Sequence, residues 1–165
     1  MIAGGSTPEH PMRIALIVLL TLVLLVLALF AWRGHTSRHS PPTLDLVAGR
    51  LRPCPDTPNC VGSESVDGER RIEALPYRGD RAASERALAG ALGRLERAQI
   101  QRRQGDYWHA TQRSALFGFV DDLEFRFDDR AGLVHLRSAS RVGYSDLGAN
   151  RKRAETLRAA YLAQP

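Results

Sequence analysis

The sequence predicts an α+β fold, an antiparallel sheet of about four or five strands with two helices packed on it, preceded by one transmembrane helix. Three observations support this prediction. A long apolar run lies near the N-terminus, the middle of the chain alternates apolar and polar residues as strands do, and apolar residues recur at helical spacing on both sides of that middle region. The 165 residues, less the apolar run, suffice for one hydrophobic core and not for two.

Residues 14–32 form the apolar run, in which a threonine is the only residue that is not hydrophobic. As a helix these residues would span about 28 Å, which is close to the hydrocarbon thickness of a bilayer. A cleaved secretory signal is the alternative, but Phe30-Ala31-Trp32 offers no small-x-small cleavage site. We therefore expect a short N-terminal tail at 1–13, an uncleaved single-pass anchor in the lipid bilayer at 14–32, an exposed tether at 33–50 and a soluble domain at 51–165.

Cys54 and Cys60 are the two cysteines of the chain, and the five residues between them are rich in proline and turn formers. A disulfide in an oxidising compartment is the favoured interpretation. The alternatives are two free thiols or half of a metal site completed by His109 and His135. These histidines show no ligand spacing, so we expect no metal, and nothing else in the sequence indicates a cofactor. Arginines flank both ends of the apolar run and hardly discriminate orientation. The cysteines therefore decide the orientation, and we expect the soluble domain on the oxidising, extracytoplasmic side of the membrane.

The folded part opens with a strand predicted around residues 71–77. Asp80 follows as a helix N-cap, because its side-chain oxygen can accept a hydrogen bond from a backbone N–H of the first turn. Leu88, Leu92 and Leu95 then recur at i, i+4 and i+7 and form one apolar stripe. We expect this helix to pack on the sheet.

Further strands are predicted at residues 100–104, 107–113, 119–127 and 133–142. In the last two strands the apolar faces must match across the intervening loop, and this requirement fixes their register. The predicted pairs are Phe127 with Val134, Phe125 with Leu136, Leu123 with Ser138, Asp121 with Ser140, and Glu124 with Arg137.

This register predicts a structural polar network on the two faces of the sheet, made of Asp121, Asp122, Glu124, Ser138 and Ser140. On the inner face Asp121 lies among phenylalanines, where a carboxylate requires a partner. On the outer face Asp122 and Glu124 lie near Arg137 and Arg141. There we expect cross-strand ion pairs on a solvated surface.

The C-terminal segment begins with capping residues and becomes helical, with an apolar face that carries Leu147, Asn150, Ala154, Leu157 and Tyr161. Asn150 either ties the helix to a sheet end or makes a first-turn cap interaction. Residues 131–165 hold six basic groups and two acids, whereas residues 50–130 hold fourteen of each. We expect an anionic lipid or an acidic protein partner to bind through Arg137, Arg141, Asn150, Arg151, Arg153 and Arg158. An ordinary basic helix that balances the acidic strand is the alternative. No nucleic acid is expected, because no aromatic stacking platform accompanies these residues.

Three blocks of sequence resemble one known family: Cys54-Pro-Asp-Thr-Pro-Asn-Cys60-Val61, then Gly118-Phe-Val-Asp-Asp-Leu-Glu-Phe125, then residues 137–153. They are similar to the domain-of-unknown-function family numbered fourteen ninety-nine, over residues 51–162. The resemblance implies a bacterial or plastid-related protein, often behind a membrane or export segment, and implies no activity. Together with the cysteines, the resemblance predicts a periplasmic domain on a bacterial inner membrane. We therefore expect a membrane-anchored, non-enzymatic binding or scaffolding module. The alternative is a hydrolase-like envelope enzyme with Asp121 or Asp122 as general base, although no nucleophile, metal set or phosphate loop accompanies them.

Overall fold

The structure is a computed structural model that describes residues 9–164. Along that range the chain forms α1 (Glu9–His39), β1 (Leu46–Val47), β2 (Arg50–Leu51), β3 (Cys60–Gly62), β4 (Leu75–Pro76), α2 (Arg81–Arg94), β5 (Ala98–Gln104), β6 (Tyr107–Arg113), β7 (Val120–Asp128), β8 (Leu133–Ser140) and α3 (Ala149–Leu162). The predicted α+β class is confirmed, with helices beside an antiparallel sheet.

The main sheet has the order β3-β8-β7-β6-β5, and β4 pairs with β8 beyond the end of β3. Within residues 9–164 it therefore has six strands rather than the four or five predicted. The additional strand, β3, has three residues, which is too short for alternation to reveal. The strand predicted at 71–77 is reduced to Leu75–Pro76.

The register predicted between β7 and β8 is confirmed in every pair. Phe125 lies opposite Leu136, Asp121 opposite Ser140, and Glu124 opposite Arg137. Side chains of successive strand residues point to opposite faces, so a shift by one residue would have moved the apolar set out of the core. The register therefore determines which charged groups meet on each face.

Helices α2 and α3 cover the inner face of the sheet and complete the core. The predicted N-cap is confirmed, since the Asp80 carboxylate accepts a hydrogen bond of 2.7 Å from the Ala83 N–H. The stripe of Leu88, Leu92 and Leu95 is buried. Its partners in the core include Trp108, Leu123, Phe125, Phe127, Leu136, Leu157 and Tyr161.

Helix α1 is long and apolar enough over Pro11–His39 to cross a membrane, and the apolar part of it is not buried against the domain. We expected an exposed tether at 33–50, but residues 33–39 continue the helix, and Gly34 and Ser37 in it are buried. No proline occurs between the apolar run and Pro41-Pro42, so every residue of this stretch keeps its backbone N–H, and the helix continues to His39. Beyond the prolines, β1 and β2 form a hairpin whose turn residues, Ala48 and Gly49, have positive φ. Of the predicted tail, residues 1–8 lie outside the described range.

Candidate functional site

The outer face of the sheet is buried beneath the segment of residues 40–56. The Asp45 N–H donates to the Glu124 carboxylate at 3.1 Å, and Arg141 donates to the Ser40 carbonyl at 3.5 Å. Glu124 is fully buried, and Arg137 and Asp122 are 6% and 4% exposed. The expectation of a solvated outer face was therefore wrong. Its ion pairs lie in an environment where losing one partner costs several times more than at a surface.

Glu124 lies at the centre of this buried face. Its Oε2 accepts a hydrogen bond of 2.6 Å from Arg137 Nη1, and its Oε1 accepts one of 2.7 Å from the Tyr107 hydroxyl. Burial, and next the neighbouring negative charge of Glu124, raise the pKa of Tyr107 above its ordinary range, so this hydroxyl stays a donor. The carboxylate thus has donors at both oxygens and one cationic partner.

Asp122 forms the second buried ion pair of the outer face. Arg141 donates to it through Nε at 2.9 Å and through Nη2 at 2.8 Å, and His109 Nε2 donates to it at 2.8 Å. Burial alone would raise the pKa of the Asp122 carboxyl, but the hydrogen bonds from His109 and Arg141 outweigh it and lower the pKa. A carboxylate held in this way is a weak base.

Asn150 ties α3 to the sheet, which was one of the two interpretations of this residue. It is fully buried, and its Oδ1 accepts a hydrogen bond of 2.6 Å from the Ser138 hydroxyl. Its Nδ2 donates to the Asn59 carbonyl at 2.9 Å and to the Ser140 hydroxyl at 3.0 Å. One side chain therefore joins α3, β8 and the residue that precedes β3.

Asp121 has the partner that its apolar surroundings require. Arg153 of α3 donates to its carboxylate, and the same guanidinium contacts Ser138, Asn150 and Gln112. Arg153 therefore belongs to the structural network rather than to a free anion-binding surface. Three of the arginines predicted to bind anions form ion pairs with carboxylates inside the domain instead: Arg137, Arg141 and Arg153.

Arg151 and Arg158 have neutral partners instead. Arg151 donates to the backbone carbonyls of Glu69 and Arg71, and Arg158 donates to that of Ala74. Both side chains thus fasten α3 to the segment before β4 without being neutralised. The structure brings all six predicted anion-binding residues, the five arginines and Asn150, into internal contacts with the sheet or its connections.

A polar cleft of about 530 Å³ opens between the end of β8 and residues 41–57, beside the outer-face network. Arg52, Arg137 and Arg141 line it. Among residues 9–164 no carboxylate lies within ion-pair distance of Arg52, and the buried Nε–H groups of Arg52 and Arg137 have no acceptor. Sequence reasoning missed Arg52, because it lies in an irregular segment without any periodic pattern.

The Cys54–Cys60 pair is a disulfide in the structure, with Cα atoms 5.6 Å apart, and the loop that it closes borders the cleft through Pro55, Thr57 and Asn59. His109 binds Asp122, and His135 Nδ1 lies 3.2 Å from the Ser63 hydroxyl, so neither completes a site with the cysteines. In the part of the chain that the structure describes, no group of His, Cys, Asp or Glu is arranged to hold a metal ion.

Comparison with known proteins agrees with the motifs that the sequence contains. The family model described as protein of unknown function (DUF1499) matches residues 50–161, which is most of the chain and all of the sheet beyond the β1–β2 hairpin. No curated protein and no solved structure matches this chain. The chain therefore belongs to the DUF1499 family of proteins of unknown function.

Proposed function

We propose that this chain is a single-pass membrane-anchored, non-enzymatic binding module whose arginine-lined cleft recognises an anionic group. The observation that carries the proposal is Arg52, which lines the cleft without a carboxylate partner among the described residues and donates only to the Leu44 carbonyl, at 3.5 Å. A guanidinium carries five N–H donors, so with one long bond to a carbonyl Arg52 keeps donors and its full charge for a ligand. A phosphate or carboxylate oxygen supplies that acceptor and the opposite charge together.

The size and charge of the cleft fit this ligand class. Its volume of about 530 Å³ lies within the range of ordinary small-molecule sites. Three arginines line it against the carboxylates of Asp122 and Glu124, which leaves one positive charge uncompensated. Pro41 and Pro42 also line it, directly after α1, so the anchor holds the cleft close to the headgroups of an anionic membrane.

An enzyme that uses Asp121 or Asp122 as general base is the competing function, and the contacts of these residues favour binding over catalysis. Arg153 holds Asp121, and Asp122 accepts three hydrogen bonds from Arg141 and His109. A general base needs a pKa near the working pH and room for a substrate proton. The pKa of Asp122 is lowered instead, which moves it away from a neutral working pH.

The proposed location is the periplasmic side of a bacterial inner membrane. The disulfide supports it, because disulfides persist in oxidising compartments. Alkaline phosphatase, which is active outside the cytoplasm, tests the orientation when it is fused after Pro165. We expect activity from this fusion, and none from a fusion placed before residue 14. Activity only from the second fusion would place the domain in the cytoplasm.

Binding is tested by calorimetric titration of the full-length protein in a neutral detergent at low salt, where screening is weakest. The probes are inorganic phosphate and glycerol 3-phosphate, which separate a free phosphate from the lipid headgroup. Arg52→Gln should abolish the binding heat, whereas Arg130→Gln removes the same charge from an exposed turn and should leave it intact. The double variant Arg151→Gln with Arg158→Gln removes the charges of the α3 surface, and it should keep the binding heat because the proposed site is the cleft. Unchanged binding by Arg52→Gln would refute the cleft.

A further inference from the structure

The end of α1 is docked on the domain rather than free. The Ser37 hydroxyl accepts a hydrogen bond of 2.9 Å from the Val120 N–H and donates to the Val120 carbonyl at 3.4 Å. Arg38 donates to the Phe117 carbonyl at 3.0 Å. A Cβ on Gly34 would lie 2.1 Å from that same carbonyl oxygen, so only glycine permits this approach. One turn earlier, the rings of Phe30 and Phe117 stack with centroids 5.3 Å apart.

This docking sets the depth of the loop at residues 114–119. Phe30 belongs to the apolar run of residues 14–32, near its C-terminal end, where aromatic side chains favour the membrane interface. Because Phe117 stacks on Phe30, the loop lies at the same depth. Its neighbour Leu116 is 80% exposed. In water a large apolar side chain gains nothing from this position, whereas in a membrane interface it is buried.

A second loop, residues 143–148, presents the same kind of surface. Tyr144 is 74% exposed and Leu147 is 97% exposed. Leu147 was predicted to lie on the apolar face of α3, but the helix begins at Ala149, and Leu147 has a φ of 54° in the turn before it. It therefore points away from the core that Ala154, Leu157 and Tyr161 enter.

A mostly apolar cleft of about 500 Å³ lies between α1 and these loops. Leu29 and Phe30 line it from the anchor, and Phe119, Val142 and Leu147 line it from the domain. Part of the cleft lining thus belongs to the apolar run itself. Arg33, the first charged residue after that run, also lines the cleft and is exposed.

We propose that this cleft is a lipid site, which takes an acyl chain of a bilayer phospholipid while Leu116, Tyr144 and Leu147 enter the interface beside it. This inference rests on the proposed membrane anchor. Leu29 and Phe30 lie near the end of the apolar run, and a cleft at the edge of a membrane-spanning segment faces hydrocarbon chains rather than water or a soluble partner. An acyl chain is therefore the occupant that we propose. Arg33 stands where a side chain can extend from the apolar run to the phosphate of the same lipid.

Quenching of tryptophan fluorescence by phospholipids brominated on the acyl chain tests the site directly, with the full-length protein in vesicles. Trp32→Phe provides the background, in which Trp108 remains buried in the core. Tryptophan is then introduced at the cleft by Leu147→Trp or at an exposed turn by Arg130→Trp, which serves as the matched control. That turn lies at the far end of β7, about 26 Å along the strand from Val120. We expect the Leu147→Trp signal to lose most of its intensity and the control to lose little.

Comparison of the unmodified protein with Trp32→Phe reports on the anchor separately, because Trp32 ends the apolar run. If Trp32 is quenched and Leu147→Trp is not, the anchor stands and the lipid site is refuted. A protein partner or a second copy of the chain covering the cleft would give that same result. If neither tryptophan is quenched, the anchor and the lipid site both fail. Equal quenching of Leu147→Trp and Arg130→Trp would also refute the site, since contact would then not be specific to the cleft.

Discussion

Replacing Glu124 by glutamine tests the buried ion pair, because the change removes the charge and keeps the shape. Glu124 is fully buried, and its partner Arg137 is 6% exposed. After Glu124→Gln the amide oxygen can still accept from Tyr107 and Asp45, but the guanidinium is left buried without its counter-ion. Breaking a buried pair in this way costs about 3–5 kcal/mol. We therefore expect the free energy of unfolding to fall by that amount.

A double-mutant cycle isolates the ion pair from the other contacts of the two residues. Arg137→Met keeps most of the side-chain length and leaves the carboxylate unpaired, so it should also cost about 3–5 kcal/mol. The double variant has no buried charge at this place, and we expect it to lose less stability than either single variant. The coupling free energy is the sum of the two single losses minus the loss of the double variant, so it should then exceed about 3 kcal/mol, the upper end of the range for contacting residues.

The measurement is urea unfolding of the full-length protein in detergent, followed by circular dichroism at constant pH. Glu155→Gln, at an exposed position of α3, controls for the loss of one negative charge and should shift stability by less than about 0.5 kcal/mol. A loss that small for Glu124→Gln, or single losses that simply add in the double variant, would show that the pair contributes no net electrostatic stability. A change in the denaturant dependence would indicate an altered unfolded state and disqualify the comparison.

Three further predictions concern acid, reduction and docking. The pKa of the Asp122 carboxyl is lower in the folded chain than in the unfolded chain, so its contribution to stability is present at neutral pH. It is lost as the pH falls below the ordinary range of an aspartate carboxyl, and a urea midpoint that does not change with acid would contradict this. Reducing Cys54–Cys60 should cost about 2 kcal/mol by the loop-entropy relation, and intact mass with alkylation should find no free thiols before reductant is added. Gly34→Val should detach α1 from Phe117, raising hydrogen exchange at 117–120 but not in β8, whereas unchanged exchange would argue against docking.

The sequence was informative where a periodic pattern was long. Strands β7 and β8 alternate over nine and eight residues, so the match of their apolar faces determined the register and the neighbours of Asp121 and Glu124. Asn150 could be recognised because a polar residue interrupts an apolar helical stripe. Both inferences use a local repeat whose geometry is fixed by the backbone.

The cover of the outer face was not predictable in the same way. Residues 40–56 contain prolines, turns and two strands of two residues each, so no period indicates where they pack. Without that cover, alternating charged residues are typical of a solvated face. The role of Arg52 could not be predicted for the same reason, since long-range contacts alone create its environment. The prediction for Leu147 was wrong for a different reason, because the helix that it was predicted to join starts two residues later.

The uninterrupted path of α1 from the apolar run to His39 has a consequence for how the domain meets other molecules. A domain on a flexible linker sweeps out a volume, and its local concentration at any target depends on linker length. Here residues 33–39 continue the helix, and two of them, Ser37 and Arg38, contact the domain. They hold the start of the arginine-lined cleft about 10 Å beyond the end of the apolar run. In the proposed membrane-anchored arrangement, the domain would therefore stay at a fixed height above the bilayer, and a ligand would have to reach the cleft at that height.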